Sequence, residues 1–417
     1  MSLQLPDSRC YPILHHPTGA PILTNPPLSW LLLLGALTAF APMSIDMYLP
    51  SLPAIATAFA TDSAAAQYTL ASFFIGLALG QAVYGPLADR YGRKPPLYAG
   101  LALYIVASIG CALAPDIATL TALRFVQAAG GCAGVVIARA VVRDRFDART
   151  SAKIYSLLML VMGLAPILAP IMGGWILALA SWRAIFGVLA LFGLATLMLS
   201  WRHLPETRPA DAFSGGGVGA ALRVYGELLR DRNFMGYALS GGFALGGMFA
   251  YITGSPHVFI ELYGVPAQYY GWLFGLNALG LIASSQYNRR LLTHHTADAI
   301  LRRANRVTVL LGLVLLAVAA NGWGGLPILL IPLFGYIASL GFTGPNAMAC
   351  ALAHQGTRAG SASALIGSLQ FGVATISSML VGLLGGGSAL SMAAVIAGSG
   401  VLAYGAHRLL VGDGKIE

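Results

Sequence analysis

The chain has 417 residues, 57% of them hydrophobic and only 9% charged, with a mean hydropathy of +0.75. Soluble domains carry about a quarter charged residues, so this composition excludes a soluble enzyme or binding module and marks an integral membrane protein. The net charge of +9 calls for no nucleic-acid partner, because the basic residues sort by membrane topology.

Apolar stretches long enough to cross a ~30 Å hydrocarbon core number twelve, centred near residues 40, 77, 105, 130, 165, 192, 244, 277, 313, 336, 372 and 400. Strand-period alternation is absent, and a helix satisfies its own backbone groups in lipid. The predicted fold is therefore all-α, with twelve transmembrane helices in two six-helix halves. The expected divisions are an N-terminal tail at 1–27, a first bundle at 28–202, a linker at 203–232, a second bundle at 233–410 and a C-terminal tail at 411–417. Of the 24 Lys and Arg, all but Arg124 and Arg183 fall in the tails or near the even-to-odd connections, around Arg90, Arg143, Arg208, Arg289 and Arg358. That asymmetry makes those connections and both termini cytoplasmic.

Residues 1–27 hold Pro6, Pro12, Pro17, Pro21, Pro26 and Pro27, so no helix persists there and no apolar leader precedes a cleavage site. The first span begins near the interfacial Trp30 and runs into Ser44-Ile45-Asp46-Met47-Tyr48-Leu49-Pro50. A carboxylate within a span is expensive and is by default a functional candidate. Between the second and third spans lies Gly85-Pro86-Leu87-Ala88-Asp89-Arg90-Tyr91-Gly92-Arg93-Lys94, read as a tight charged loop. Gly85 and Gly92 allow close approach and positive φ there, and Asp89 can pair with Arg90, Arg93 or helix ends, making the loop a conformational latch.

The fourth span offers an opposite charge, Arg124, within Arg124-Phe125-Val126-Gln127-Ala128-Ala129-Gly130. At ~1.5 Å rise per residue, Asp46 stands ~24 Å beyond Trp30 and Arg124 ~12 Å from the other interface. Both then fall in the middle-to-outer half of the membrane, where they could share one cavity. In the fifth span, Pro166, Pro170, Gly173 and Gly174 permit a bent helix and close crossing. After the sixth span, Leu204-Pro205-Glu206-Thr207-Arg208-Pro209 breaks the helix. Leu222, Tyr225, Leu228 and Leu229 then recur at helical spacing, as expected of a short helix lying along the inner surface.

The second half repeats the layout without the latch chemistry. No clear Asp, Glu, Lys or Arg lies inside its spans, and His257 and Glu261 fall near an outer end, where a solvated loop role is expected. Tyr48, Tyr251, Asn277, Asn346 and Gln370 are candidate linings of a substrate cavity. The four cysteines, Cys10, Cys111, Cys132 and Cys350, have no metal-ligand spacing and read as small membrane hydrophobes.

The Gly85-to-Lys94 segment resembles, over its whole length, the signature between helices 2 and 3 of the major facilitator superfamily. The fifth-span motif is similar to the antiporter motif of that superfamily, with Ala165 and Ala169 where glycines are usual. Ser-Ile-Asp-Met-Tyr-Leu-Pro around Asp46, the Arg124, Gln127 and Gly130 pattern, Trp182-Arg183 and Pro205-Glu206-Thr207-Arg208 resemble the drug:proton antiporters of the Bcr/CflA branch, known for bicyclomycin and chloramphenicol resistance. The resemblance implies export of small amphipathic drugs in exchange for protons by alternating access across a bacterial inner membrane. It implies no cofactor beyond the proton gradient, and partners limited to substrate, protons and lipid, with the chain acting as a monomer.

The residues support that expectation independently. A carboxylate in low dielectric resists ionisation unless a cation stands by, which suits Asp46 to loading and releasing protons and Arg124 to tuning it. Alternatives stay open: a structural salt bridge at Asp46, a structural anchor at Arg124, or proton-coupled movement of a native metabolite on the same fold. No activated nucleophile, metal cluster or phosphate-binding loop is legible, so the chain is not read as an enzyme or an ATP-driven pump.

Overall fold

A computed structural model describes residues 27–146, 148–207, 218–353, 355, 359–385 and 389–411. In the first half, α1 (Leu28–Asp46), a 3-10 turn (Leu49–Ser51) and α2 (Leu52–Ala58) form one interrupted span. It is followed by α3 (Ser63–Tyr91), α4 (Lys94–Leu113), α5 (Ile117–Arg145), α6 (Ala148–Leu179) and α7 (Trp182–His203). A short α8 (Val218–Arg230) leads to α9 (Arg232–Pro256) with a π-helical turn (His257–Leu262), α10 (Ala267–Leu291), α11 (Ala297–Asn321), α12 (Gly325–Leu352), α13 (Ala359–Leu383) and α14 (Ala389–Leu410).

The described chain is thus twelve membrane helices in two halves of six, plus α8. Among the described residues, eleven segments are apolar and long enough to cross a bilayer on composition alone. The twelfth, α10, has the length but carries Gln268, Asn277, Ser284, Ser285, Gln286 and Asn288. Asn277 and Asn288 are buried and Gln268, Ser284 and Ser285 half-buried, as suits a helix that packs against α6 at the junction between halves, while Gln286 is exposed.

Local chemistry sets several helix starts. Asp62, Asp116, Asp231 and Thr296 each accept a bond from the backbone N–H three residues on, at the starts of α3, α5, α9 and α11. Asp116 lies outside the membrane, where the backbone N–H and the hydroxyl of Thr119 hold its carboxyl below the usual carboxylate range. Within the first half α5 is central, packed against α3 and α4, while α9 is central in the second, against α13 and α14. The halves meet along two pairs, α6 with α10 and α3 with α13. Arg90, Arg93, Arg289, Arg290 and Arg302 mark one face of the bundle, here called the basic face. Asp62, Asp116 and Glu261 mark the opposite one.

Three sequence expectations change. The segment from Gly85 to Tyr91 is the last part of α3 rather than a loop, because Pro86 sits within the helix and the charged residues emerge only at its end; Gly92 alone takes positive φ, at 85°. An added Cβ at Gly85 would meet nothing within 4 Å. Leu229 on α8 points outward, whereas Leu228 is buried with Phe234, Tyr237 and Leu301. One face of a 13-residue helix cannot hold two consecutive leucines, since neighbours are ~100° apart. The side chain of Leu222 lies outside the described residues. Finally, His257 is no solvated loop residue: the π-turn carries it back towards α3, where Nδ1 meets the Ser63 hydroxyl at 3.1 Å and the Glu261 carboxylate at 2.5 Å.

Candidate functional site

Arg124 is fully buried, on the third turn of α5. Helix α1 stops at Asp46, which leaves the carbonyl of Ser44 without its next helical donor. One terminal nitrogen of Arg124 donates to that carbonyl at 3.0 Å and the other to Gln127 Oε1 at 2.6 Å. A cation at a helix C-terminus also meets the negative end of its dipole. Gln127 in turn donates to Ser108 Oγ at 2.8 Å, and Ser44 Oγ pairs with the Tyr104 hydroxyl at 2.7 Å. The guanidinium carbon lies 4.4 Å from the ring centre of Tyr48 and 4.2 Å from that of Phe73. Desolvated cation–π contacts of this kind contribute ~2 kcal/mol. The Nε atom is buried without a partner. The network ties α1, α3, α4 and α5 together around a charge that, among the described residues, pairs with no carboxylate.

Asp46, only 4% exposed, closes α1. Among the described residues no hydrogen bond or ion pair joins it to Arg124. Ser44 and Asp46 are two positions apart on α1, ~200° of rotation, so their side chains leave the helix on opposite sides; that of Ser44 turns to Tyr104, into the network around Arg124. The second half comes close instead. The 3-10 turn that follows Asp46 packs against α9, which carries Tyr251, and α10, which carries Tyr270; among the described residues no hydrogen bond joins either hydroxyl to the carboxylate.

Above that carboxylate the second half presents a dense aromatic cluster. Tyr251 stacks on Phe274 with ring centres 5.3 Å apart and planes at 16°, and Phe259 and Tyr270 complete the group. Asn277 donates to the Tyr251 hydroxyl at 3.1 Å. Of the other cavity candidates, Tyr48 is sealed in the first half, its hydroxyl 2.8 Å from Thr69 Oγ1. Asn346 bonds Asn288 at 2.8 Å towards the basic face, and Gln370 is half-buried on α13. The structure brings together Tyr251 and Asn277, on the helices against which the turn after Asp46 packs, and not all five.

The fifth-span residues explain how the halves approach. Pro166 and Pro170 lie inside an unbroken α6. A Cβ added at Gly173 would overlap the carbonyl oxygen of Met47, next to Asp46, and one at Gly174 would stand 2.6 Å from the carbonyl oxygen of Ala267 on α10. Small residues here let α6 wedge between α1 and α10.

On the basic face, Arg93 Nε donates to Asp144 at the end of α5 at 2.8 Å. The backbone N–H groups of Arg93 and Lys94 donate to Glu206, beyond α7, at 2.9 and 3.0 Å. Thr207 Oγ1 also reaches Asp144, at 3.2 Å. A Cβ at Gly92 would lie 2.8 Å from a Glu206 oxygen, so glycine is required both for its φ and for the carboxylate's approach. Arg90 is exposed and lies against the ring of Tyr91; the side chain of Asp89 lies outside the described residues. Asp144 went unread in the sequence and Glu206 was read only as part of a pattern. Their one signal was the helix break at Pro205 and the acid placed beside it. Among the described residues, no group of three or more His, Cys, Asp or Glu is placed to hold a metal ion.

The sequence profile of the Major Facilitator Superfamily matches residues 34–379. The chain belongs to that superfamily. It is 39% identical over 373 residues to an uncharacterised MFS-type transporter, YdgK, of Bacillus subtilis, covering 89% of this chain and 91% of that one. It is 35% identical over 358 residues to the bicyclomycin resistance protein homolog of Haemophilus influenzae, covering 84% and 88%. It is also 31% identical to the chloramphenicol resistance protein of Pseudomonas aeruginosa, over 69% of this chain and 67% of that one. Among solved structures, a D-xylose–proton symporter superposes with a TM-score of 0.72 at 16% identity, covering 93% of this chain and 98% of the symporter, which shows a shared fold. As a major facilitator member with drug-resistance relatives, the protein is a multi-pass membrane transporter and not an enzyme.

Proposed function

We propose that the protein is a proton-driven exporter of small amphipathic compounds, working by alternating access in a bacterial inner membrane with its basic face in the cytoplasm. The observation that carries this reading is Asp46: a buried carboxylate with no hydrogen-bonded partner among the described residues, at the end of α1 just before the turn that packs against the second half. Such a group can take a proton at small cost in one state and lose it in another as its surroundings change. The relatives named for bicyclomycin and chloramphenicol resistance support the direction and the kind of cargo.

In this reading Arg124 is a positioning residue that clamps the end of α1 and so places Asp46. The Arg93–Asp144–Glu206 network holds the basic ends of the first half together as one body, and the Gly85, Asp89, Arg90 and Gly92 positions belong to the same latch. Pro166, Pro170, Gly173 and Gly174 form the surface on which α6 moves against α1 and α10. Contacts on the face opposite the basic one, including Ser63 with His257 and the aromatic cluster above Asp46, support assignment of this conformation to one closed on that side. Substrate then enters from the cytoplasm beside Asp46, Tyr251 and Asn277.

A susceptibility panel in a bacterial host stripped of its own exporters tests this. Expression should raise resistance to at least one amphipathic antibiotic, and a protonophore should restore drug accumulation in the same cells. Accumulation unaffected by the protonophore contradicts proton drive. No resistance, with uptake of a metabolite instead, favours a native-metabolite transporter on the same fold.

A further inference from the structure

The hydroxyl of Tyr251 has a fixed polarity. Asn277 Nδ2 donates to the backbone carbonyl of Leu273 at 3.1 Å, and a carbonyl can only accept, so the amide cannot be turned the other way. Its second N–H goes to the Tyr251 hydroxyl, also at 3.1 Å. The Tyr251 oxygen is therefore an acceptor in that bond, and its own O–H is left to donate elsewhere. Tyr251 is only 2% exposed, so water is not at hand to receive it. The ring is held by stacking on Phe274, which limits where the hydroxyl can point.

Asp46 presents the complementary need. When ionised, a buried carboxylate requires donors, and the first half supplies none to it among the described residues; Arg124 is spent on Ser44 and Gln127. The elements packed around Asp46 bring few charged or titratable groups. On its own span stands Tyr48, bonded to Thr69. Helix α4 brings Tyr104 and Cys111, α5 brings Arg124, α6 brings the bare glycines Gly173 and Gly174, and α7, which also packs on α1, brings Arg183, which donates to the carbonyl of Ala114. From the second half come Tyr251, Tyr270, whose hydroxyl is shared with Ser255 at 2.8 Å, and one turn further His257, shared with Ser63 and Glu261. Tyr251 is the one whose partner forces its proton outward.

We infer that Tyr251, set by Asn277, is the group in the second half that receives the ionised carboxylate of Asp46. Loss of the proton in one half then becomes a hydrogen bond to the other. The protonated acid has no need of that donor, so protonation loosens the halves and deprotonation draws them together on this side. No bond other than this hydrogen bond is made; the proton leaves Asp46 for water on whichever side is open. Tyr251 and Asn277 are positioning residues in this scheme rather than substrate contacts alone. The inference rests on Asp46 being the proton site.

The test needs no knowledge of the substrate. Dicyclohexylcarbodiimide, an apolar reagent, modifies protonated carboxylic acids, and the adduct on the Asp46 peptide of the intact purified protein can be followed by mass spectrometry against pH. In the wild-type protein labelling should fall as pH rises, and Asp46→Asn should abolish it. Tyr251→Phe keeps the ring and its stack but removes the donor, so the midpoint should move up by about one pH unit, the scale of one lost hydrogen bond to an ionised group. Asn277→Leu frees the hydroxyl to turn away and should move it the same way by less, which also serves if Tyr251→Phe does not fold. Tyr270→Phe should leave the midpoint nearly in place. A pH-dependent wild-type midpoint that Tyr251→Phe and Asn277→Leu leave unmoved overturns the role of Tyr251 while keeping Asp46 as proton site. Labelling of Asp46 that is independent of pH removes the proton site itself.

Discussion

The two halves share a helix plan but differ in what they bury. The first half encloses a cation, Arg124, and ends a helix on a carboxylate, Asp46, both within the membrane. In the second half, the described membrane interior holds neutral polar groups: Tyr251 with Asn277, Asn305 with Ser240, Thr253 with Ser378, Thr308 with Ser339. The basic ends are also held by different pairings. Arg93 of the first half is held by Asp144 and bound to Glu206 through its backbone, whereas in the second half the loop-side residue is the acid Asp298. Its carboxylate is reached by His407 at 3.0 Å, Tyr237 at 3.1 Å and Arg302. Duplicated architecture therefore does not mean duplicated chemistry. In the proposed mechanism the charge that cycles belongs to the first half, and the second half supplies the aromatic and amide surface on which it acts.

The largest effect expected from breaking this division comes at the fifth span of each half. Gly173 on α6 has no room for a Cβ against Met47, whereas Gly372 on α13, the corresponding span, has nothing within 4 Å. Gly173→Ala should cut transport at least tenfold by pushing α6 from the Asp46 end of α1, with a destabilisation of about 1–3 kcal/mol from overpacking. Gly372→Ala should leave uptake and efflux rates unchanged. Efflux assays on both variants, normalised to expression, check this; equal effects would mean that the close α6 contact is not specific to the mechanism.

At the basic face the expected effect is on stability rather than on transport. Arg93→Ala removes the Arg93 cation from part-buried Asp144 and should lower stability by about 3 kcal/mol, measured as detergent thermal unfolding. Glu206→Gln should cost less, about 1 kcal/mol, since the amide oxygen still accepts one of the two backbone bonds. The mildest change is His407→Gln in the second half, about 1 kcal/mol or below, because Tyr237 and Arg302 still serve Asp298. An Arg93→Ala protein as stable as His407→Gln would remove the asymmetry between the two ends.

Much of this was legible in the chain itself. Continuous apolar runs account for eleven spans on composition alone, with the length of the more polar α10 completing the count, and Asp46 and Arg124 stand out because charge is rare in lipid. What stayed hidden depends on direction and on distance along the chain. Depth alone made Asp46 and Arg124 neighbours, but the end of α1 at Asp46 turned the Ser44 carbonyl into the partner of Arg124 and left the carboxylate on the other side. The Arg93 clasp draws on Asp144 and Glu206, far along the chain, and nothing in a single sequence marks such a pairing. Gly85 looked like a loop residue because a charged run reads as a turn, while the helix simply continues to Tyr91. His257 was misplaced because a π-turn has no residue signature.

The most direct measurement is gradient-driven transport by Asp46→Asn in proteoliposomes, using a compound that the susceptibility panel identifies. The amide keeps the size of the side chain and cannot cycle a proton. The expected result is a folded protein that exchanges substrate across the membrane without accumulating it against an imposed pH gradient. Accumulation at the wild-type level would contradict the assignment of Asp46 as the proton site.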